Sequence, residues 1–298
     1  MLDGAIGLIW FCVRLLWLFV EPLLWPALAF ALLAAVTKGR DALEAGRRAA
    51  TETRVTLSLH IFDLLLIGPP LGLAIALIVR AVERHTLMLL PTETWSGIGL
   101  PATLLAIVFV GDFISYWRHR LEHTRWLWPA HAIHHSDTEM TWLTLHRFHP
   151  VNRLATTIID NTVLALLGAP AWALIANEFI RHYYGQFIHA DVPWTYGRFG
   201  ALFVSPAMHR WHHARDVIGA GSNFATVFSV FDRAFGTFYV PGPCNVPLGV
   251  TDAIGGGAWR QLAYPFRVWA ADLLRRRRRQ RDADRQVDHD EAAALFVG

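Results

Sequence analysis

Histidine accounts for most of the side-chain chemistry that this sequence offers. Twelve of its 15 histidines lie between residues 119 and 213, and eight of them form three short motifs. The motifs are H-R-L-E-H from His119 to His123, H-A-I-H-H from His131 to His135, and H-R-W-H-H from His209 to His213. On an α-helix, residues three or four apart share a face, with Cβ atoms about 5–6 Å apart. Each motif therefore predicts a pair or triad of imidazoles that converge on one ion.

The number of clustered histidines indicates two metal ions rather than one. A tetrahedral zinc site uses about three or four protein ligands, whereas the three motifs together supply eight imidazoles. Neutral imidazole binds zinc, copper, iron and nickel, so the ligand type alone leaves the metal open. If the substrate is an alkyl chain in a membrane, oxidation of a C–H bond requires a redox metal such as iron with O₂, and zinc has no redox chemistry. The apolar setting of the motifs therefore favours iron.

The rest of the chain is typical of a membrane protein. Hydrophobic residues make up 54% of its 298 residues and charged residues only 17%, too few to cover a soluble domain of this length. Four apolar stretches stand out, at residues 15–36, 61–82, 98–115 and 156–180. About 20 apolar residues cross a hydrocarbon core of about 30 Å. We therefore predict an all-α fold, an integral membrane helical bundle with a histidine-rich metal site.

Charge around the first two apolar stretches predicts the orientation. The loop between them carries five basic residues, Lys38, Arg40, Arg47, Arg48 and Arg54. The positive-inside rule places such a loop in the cytoplasm. The third stretch then returns to the cytoplasmic side and carries the first histidine motif with it. We expect the protein in a bacterial inner membrane, with its catalytic site facing the cytoplasm.

The fourth apolar stretch requires a different arrangement, because a single crossing would put His131 and His189 on opposite sides of the bilayer. Gly168, Ala169 and Pro170 interrupt it, and a helix ends and reverses at such a sequence. The interruption divides residues 154–181 into two arms of about a dozen residues, each about 18 Å long and too short to span. We predict a short re-entrant helical hairpin.

The chain is expected to have three regions. They are an N-terminal transmembrane anchor region at residues 1–90, a histidine-rich catalytic domain at 91–240, and a C-terminal amphipathic helix with a basic tail at 241–298. Five consecutive arginines follow the amphipathic pattern, and a flexible end is expected from residue 282. The arginines favour contact with anionic lipid headgroups or, equally, a solvated surface. Since this tail supplies most of the net charge of +3, the basicity does not indicate nucleic-acid binding.

Four sequence blocks in series resemble the fatty acid hydroxylase and sterol desaturase superfamily. They are D-F-I-S-Y-W-R-H-R-L-E-H at residues 112–123, H-A-I-H-H, F-I-H-A-D at 187–191, and S-P-A-M-H-R-W-H-H at 205–213. The S-N-F and F-D-R-A-F-G-T runs that follow, at 222–224 and 231–237, are similar to the continuation of that family. The four blocks match in both order and spacing.

The resemblance implies a membrane-bound, non-haem di-iron enzyme that uses two iron ions and O₂ to hydroxylate or desaturate a lipid. Its electrons would come from an external donor of the ferredoxin, cytochrome or reductase type. Carried over by motif, the implied metal ligands are His119, His123, His131, His134, His135, His189, His209, His212 and His213. Asp112 is expected either to orient an imidazole or to be a polar residue at a helix end. Asn223 is expected to be an indirect partner of the metal site or a turn residue.

Two further expectations concern the surroundings of the site. Asp191 stands where the family often has asparagine, so an extra carboxylate beside His189 is expected to alter the charge at the metal or the substrate preference. Four aromatic residues are expected either to line the substrate pocket or to fill the core: Trp142, Phe148, Tyr184 and Trp211.

Other functions stay open at this point. A zinc-dependent membrane hydrolase would need fewer ligands, and the sequence has no H-E-x-x-H motif. A metal transporter or a haem-binding electron carrier would place histidine pairs deep in the spans, whereas these motifs lie at helix ends. Within the superfamily, an ether-lipid monooxygenase fits the motifs equally well. The sequence does not separate sterol, fatty acyl, carotenoid, sphingolipid and ether-lipid substrates.

Overall fold

The computed structural model describes residues 2–216 and 221–295, and this part of the chain is helical without a named β-strand. Its helices are α1 Leu2–Lys38, α2 Asp41–Phe62, α3 Gly68–Arg84, α4 Thr92–Gly97, α5 Leu100–Glu122, α6 Trp128–His135, α7 Pro150–Leu166, α8 Ala171–His189, α9 Pro206–His212, α10 Val230–Ala234 and α11 Ala258–Leu295. Two 3₁₀ turns, Trp142–His146 and Gly197–Ala201, lie in the connections. The predicted all-α class is confirmed.

Three helical segments are long and apolar enough to cross a membrane: Val20–Lys38, Asp41–Arg84 and Leu100–Glu122. They contain most of the first three apolar stretches of the sequence. In the second segment, α2 continues into α3 through a π-helical turn at Asp63–Ile67, giving one helix of 44 residues. At the helical rise this is about 66 Å, more than twice the thickness of the hydrocarbon core. Only part of this helix can therefore lie within a hydrocarbon core, and most of its charged residues belong to the α2 half.

The fourth apolar stretch forms a helical hairpin, α7 and α8, with its turn at Gly168. This glycine has φ +69°, and a Cβ there would lie 2.0 Å from the carbonyl oxygen of Leu90. The backbone N–H of Leu89 also donates to the carbonyl of Leu166 (2.6 Å), so the tip is fixed against the connection between α3 and α5.

The hairpin arms are longer than the apolar stretch predicts. They have 17 and 19 residues, or about 25 and 28 Å, instead of about a dozen residues each. The difference arises at the outer ends, where α7 begins at Pro150 and α8 continues to His189 through polar residues that the apolar stretch does not include. Neither arm is among the segments apolar enough to span.

Helix α5 is the centre of the bundle. The arms α7 and α8 pack against it, α3 packs against α7, and the two arms make almost no contact with each other. Gly111 allows α8 to approach closely, because a Cβ there would lie 2.7 Å from Oδ1 of Asn177. At the last turns of α5, a hydrophobic core that includes Tyr116, Ile188 and Met208 joins α5 to α8 and α9.

The C-terminal helix α11 lies against α6. The indole N–H of Trp269 donates to the carbonyl of Trp126 (2.9 Å), and the Arg276 guanidinium lies 4.3 Å from the Trp126 ring centroid. The expected flexible end is instead helical through Leu295. Residues 281–295 contain neither Gly nor Pro, and four of them are alanine, which favours helix.

Candidate metal centre

The nine histidines of the motifs converge where four helices end. His119 and His123 lie at the C-terminal end of α5, His189 lies at that of α8, and the others belong to α6 and α9 or follow α9 directly. The sequence indicates where the two short helices, α6 and α9, begin. In α9, the Ser205 hydroxyl caps the helix by accepting from the N–H of Met208 (3.1 Å), and both helices have proline in the first turn.

The imidazoles form two adjacent groups. The five-histidine group consists of His119, His123, His131, His135 and His212, and the four-histidine group of His134, His189, His209 and His213. Within each group, one nitrogen of every ring lies within 4.8 Å of those of the others. The groups are side by side, because the rings of His135 and His213 stack with their centroids 4.3 Å apart.

The division of the triads between the groups corrects a prediction. Each H-x-x-H-H triad was expected to converge on one ion, but His134 joins the four-histidine group while His131 and His135 belong to the other. In the same way, His212 belongs to the five-histidine group, whereas His209 and His213 belong to the four-histidine group. The reason is helical geometry: residues four apart point in the same direction, whereas adjacent residues are rotated by about 100°. Each short helix therefore contributes to both groups.

Backbone carbonyls orient three of the rings. The Nδ1–H groups of His119, His189 and His212 donate to the carbonyls of Phe224 (2.8 Å), Gly185 (2.6 Å) and Ser222 (2.5 Å), respectively. A proton on Nδ1 leaves the lone pair on Nε2, the atom that faces the other imidazoles. Burial lowers the pKa of His189 to about 3 and that of His212 to about 4, so both rings are neutral at pH 7.

This donor set fits a pair of metal ions. The Nε2 atom of His189 lies 2.9 Å from that of His209 and 3.1 Å from that of His134. The single lone pair on Nε2 of His189 can accept only one N–H group, so these three nitrogens cannot all be satisfied by hydrogen bonds to one another. Within the described residues, buried ring nitrogens of His123, His212 and His213 also lack hydrogen-bond partners. A cation between the lone pairs would satisfy both groups, and all-imidazole sites suit iron, zinc and copper.

A buried ion-pair network behind the histidines was not predicted. The Arg118 guanidinium bonds Glu122 (2.9 Å) and Asp160 (2.8 Å), and Arg181 also bonds Asp160 (3.2 Å). Glu122 Oε2 in turn lies 3.6 Å from Nδ1 of His131. The available signal was the presence of charged residues on otherwise apolar helices, which normally marks a functional site in a membrane.

Asp112 lies at a different place from the one expected. Its fully buried carboxylate accepts hydrogen bonds from the backbone N–H groups of Thr226 (3.1 Å), Val227 (3.0 Å) and Phe228 (2.7 Å), and not from an imidazole. Seven residues before His119, it is about 10 Å away along α5, too far to touch that ring. Asp112 thus fixes the loop whose Phe224 carbonyl orients His119.

Asn223 likewise contacts backbone rather than metal-site side chains, which favours the turn alternative. With φ +61°, it donates through Nδ2 to the carbonyls of Met208 (2.9 Å) and Tyr239 (2.8 Å). It therefore connects α9 to the segment after α10. Asp232 fixes the same loop by accepting from the N–H groups of Phe224 (2.7 Å) and Ala225 (3.0 Å).

The other expected neighbours have different roles. Asp191 pairs with Lys38 and with Arg210 (3.2 Å), away from the histidines, so it does not add a carboxylate to the site. Phe148 stacks on His134 with ring centroids 5.2 Å apart. Trp211 and Tyr184 instead use their polar atoms on backbone carbonyls and fill the core.

Comparison with known proteins identifies the segment that carries these histidines. Residues 104–237 match the fatty acid hydroxylase family. An ornithine lipid hydroxylase of Rhizobium tropici is 31% identical over 159 residues, 53% of this chain and 48% of that protein. The human alkylglycerol monooxygenase is 33% identical over 157 residues (52% and 34%), and the methylsterol monooxygenase 2-2 of Arabidopsis thaliana is 28% identical over 171 residues (56% and 62%). No solved structure matches the chain.

This segment is similar to the fatty acid hydroxylase family, so the resemblance seen in the sequence is confirmed for this part of the chain. The aligned part spans between about a third and two thirds of the length of these relatives.

Proposed function

We propose that the nine histidines hold two iron ions and that the protein uses O₂ to hydroxylate or desaturate a membrane lipid. The observation that carries this proposal is the pair of adjacent all-imidazole groups within a fatty acid hydroxylase segment. Nine ligands exceed what one ion uses, and imidazole is a ligand that iron accepts.

When bound, the two irons supply the redox chemistry that C–H oxidation requires. In a hydroxylation, one oxygen atom of O₂ enters the C–H bond and the other leaves as water, with two electrons from an external donor and two protons. The residues of the chain hold the imidazoles neutral and oriented, through the carbonyls of Gly185, Ser222 and Phe224. The Nδ1–H group of His131 donates to Oδ1 of Asn152 (3.4 Å), and the Glu122 carboxylate, 3.6 Å from the same nitrogen, favours a proton at that position.

We infer a cytoplasmic location for this centre and an integral inner-membrane location for the protein. The basic residues at the start of α2 support it, since the centre lies at the same end of the bundle, where the Arg147 guanidinium pairs with Glu52 of α2 (2.6 Å). An external ferredoxin, cytochrome or reductase would then deliver electrons from the cytoplasm.

We also propose that the hairpin α7–α8 is re-entrant. Its arms carry buried polar residues such as Asp160 and Asn177, and neither arm qualifies as a span. With Ala169→Cys, a membrane-impermeant thiol reagent added outside the cell is expected to leave the tip unlabelled. Full labelling would indicate that the hairpin crosses the bilayer.

An ether-lipid monooxygenase is the second candidate function. The identity with alkylglycerol monooxygenases of human, Danio rerio and Caenorhabditis elegans favours it, at 33%, 30% and 30%. The ornithine lipid hydroxylase relative supports hydroxylation of a different lipid to a similar degree. The two candidates share the metal centre and differ in the substrate.

The proposal is tested by lipid analysis of a bacterium that expresses the protein under ¹⁸O₂. We expect a lipid that gains one ¹⁸O atom, or one that loses two hydrogens, and we expect its absence with His134→Ala and His212→Ala. His85→Ala, at an exposed histidine outside both groups, is the matched control and should retain the product. A protein that contains zinc alone and cleaves lipids without O₂ would instead be the zinc-dependent hydrolase.

A further inference from the structure

A charged cavity adjoins the metal centre on its membrane side. It has a volume of about 200 Å³ and is lined by α5, α7, α8, the junction of α2 with the π-helical turn, and histidines of both groups. A water molecule in the liquid takes about 30 Å³, so several waters or a small polar group fit inside. We call this cavity the polar chamber.

The polar chamber contains N–H groups and a carboxylate that the described chain leaves without a hydrogen bond or an ion pair. Arg118 and Arg181 pair with Asp160, and Arg153 pairs with Asp63 (3.5 Å), but the Nε atoms of Arg153 and Arg181 are buried without a hydrogen-bond partner. Glu178 also lines the chamber and forms no ion pair within the described residues. Ionisable groups inside a membrane bundle are costly and usually contact a ligand, an ion or one another. The chamber therefore offers donors to an anion and a carboxylate to a cation.

The chamber opens sideways toward the lipid. Helices α7 and α8 both pack on α5 and make little contact with each other, and Glu178 of α8 lines the chamber. Glu178 is exposed on the surface of α8, between Ile175 and Phe179, which are 71% and 63% exposed. Large apolar side chains on such a surface face the acyl chains of the bilayer. An amphiphile from the membrane can thus reach the chamber without passing through the cytoplasm.

Depth determines which part of that amphiphile meets the metal centre. The chamber runs along α5 from Ser115 to Glu122, the cytoplasmic end of the third candidate span, and the histidine groups lie at and beyond that end. A lipid aligned with its neighbours in the bilayer has its polar end at this level and its chains on the far side of it. The polar end, and not the middle of the chain, therefore lies beside the histidines.

We propose that the polar chamber binds the zwitterionic end of an amphiphile, with Arg153 and Arg181 contacting its acidic group and Glu178 its ammonium group. On the proposed function, on which this inference rests, the oxidised carbon then lies in the polar end or within the first few carbons of the chain. Arg153 and Glu178 are specificity residues for the substrate rather than catalytic residues, since neither belongs to a histidine group.

Equilibrium binding of two labelled probes to the purified protein in a non-ionic detergent tests this assignment. Nα-hexadecanoyl-lysine carries an ammonium and a carboxylate, and 1-O-hexadecylglycerol has the same chain length without a charge. We expect Glu178→Gln and Arg153→Gln each to weaken binding of the lysine probe about tenfold, as for loss of one charged hydrogen-bond partner. Binding of the glycerol probe should change less than about twofold.

The exposed neighbours Glu83 and Arg84 at the end of α3 provide matched controls. Glu83→Gln and Arg84→Gln remove the same charges outside the chamber and should leave both probes unaffected. Unchanged binding of the lysine probe in the chamber variants, or equal weakening of both probes, would overturn the assignment. Because binding is measured without turnover, iron content and lipid oxidation in the same preparations test the proposed function separately. If the protein contains two irons and oxidises a lipid, but the chamber variants bind the lysine probe normally, only the assignment of the polar chamber is refuted.

Discussion

The two histidine groups differ in what surrounds them. All four members of the four-histidine group are buried, whereas His123 of the five-histidine group is partly exposed. Three members of the larger group line a second cavity of about 440 Å³, together with Arg125, Arg215 and Asp252. That cavity is lined largely by loops and shares no lining residue with the polar chamber. We expect electrons to enter from the five-histidine side and the substrate to bind from the chamber side.

The largest effect on iron content and activity should come from removing a ligand of the four-histidine group. His189→Ala leaves three imidazoles there, and we expect loss of about one iron and a fall in activity of more than about a hundredfold, since changing an indirect metal contact already costs 10- to 100-fold. His123→Ala leaves four imidazoles in the five-histidine group, so this variant should retain more iron and more activity than His189→Ala. Metal analysis and turnover of the two variants check this, and equal losses would contradict the difference between the groups.

The second effect concerns the loop at residues 224–228, whose Phe224 carbonyl orients His119 of the five-histidine group. Asp112→Ala leaves three buried N–H groups without their charged acceptor, so the free energy of unfolding should fall by about 3 kcal/mol or more. Asp112→Asn retains one acceptor oxygen and should lose less. Thermal or denaturant unfolding in detergent measures both, with Asp272→Asn at an exposed position as control. A stable Asp112→Ala protein with normal iron content would show that the loop does not depend on this carboxylate.

These two predictions also indicate how far the sequence alone can go. The nine histidines were predictable because helical spacing and motif order are local properties. The role of Asp112 was not, since its partners follow 114 to 116 residues later in a loop whose position depends on the tertiary fold. The same holds for Asp160, which accepts from both Arg118 and Arg181 only when α7 and α8 pack on α5. Asp191 was misjudged because proximity to His189 in sequence does not determine the direction of its side chain.

In the metal-free protein, acid pH should lower the free energy of unfolding through the histidines of both groups. Burial lowers the pKa of His189 to about 3 and that of His212 to about 4, from 6.5 in the unfolded chain. The unfolded chain therefore takes up protons first as the pH falls below 6.5, and the free energy of unfolding falls by about 1.4 kcal/mol per pH unit for each such histidine. Unfolding of chelator-treated and iron-loaded protein between pH 7 and pH 5 checks this. The free energy of unfolding of the iron-loaded form should fall less, because bound metal opposes protonation of the histidines.

The smallest effect is expected at Asp191, which lies two residues after His189 but faces Lys38 and Arg210. Its side chain is 42% exposed, so its ion pairs contribute about 1 kcal/mol or less. Asp191→Asn should retain full iron content and near-normal activity. A marked loss of iron would mean that this carboxylate influences the four-histidine group after all.

Iron stoichiometry tests the central claim most directly. Protein purified from iron-supplied cells should contain close to two irons per chain, and the paired variants His135→Ala with His212→Ala and His134→Ala with His209→Ala should each retain close to one. A wild-type protein that binds a single ion, or paired variants that both lose all metal or none, would contradict two separate groups of imidazole ligands.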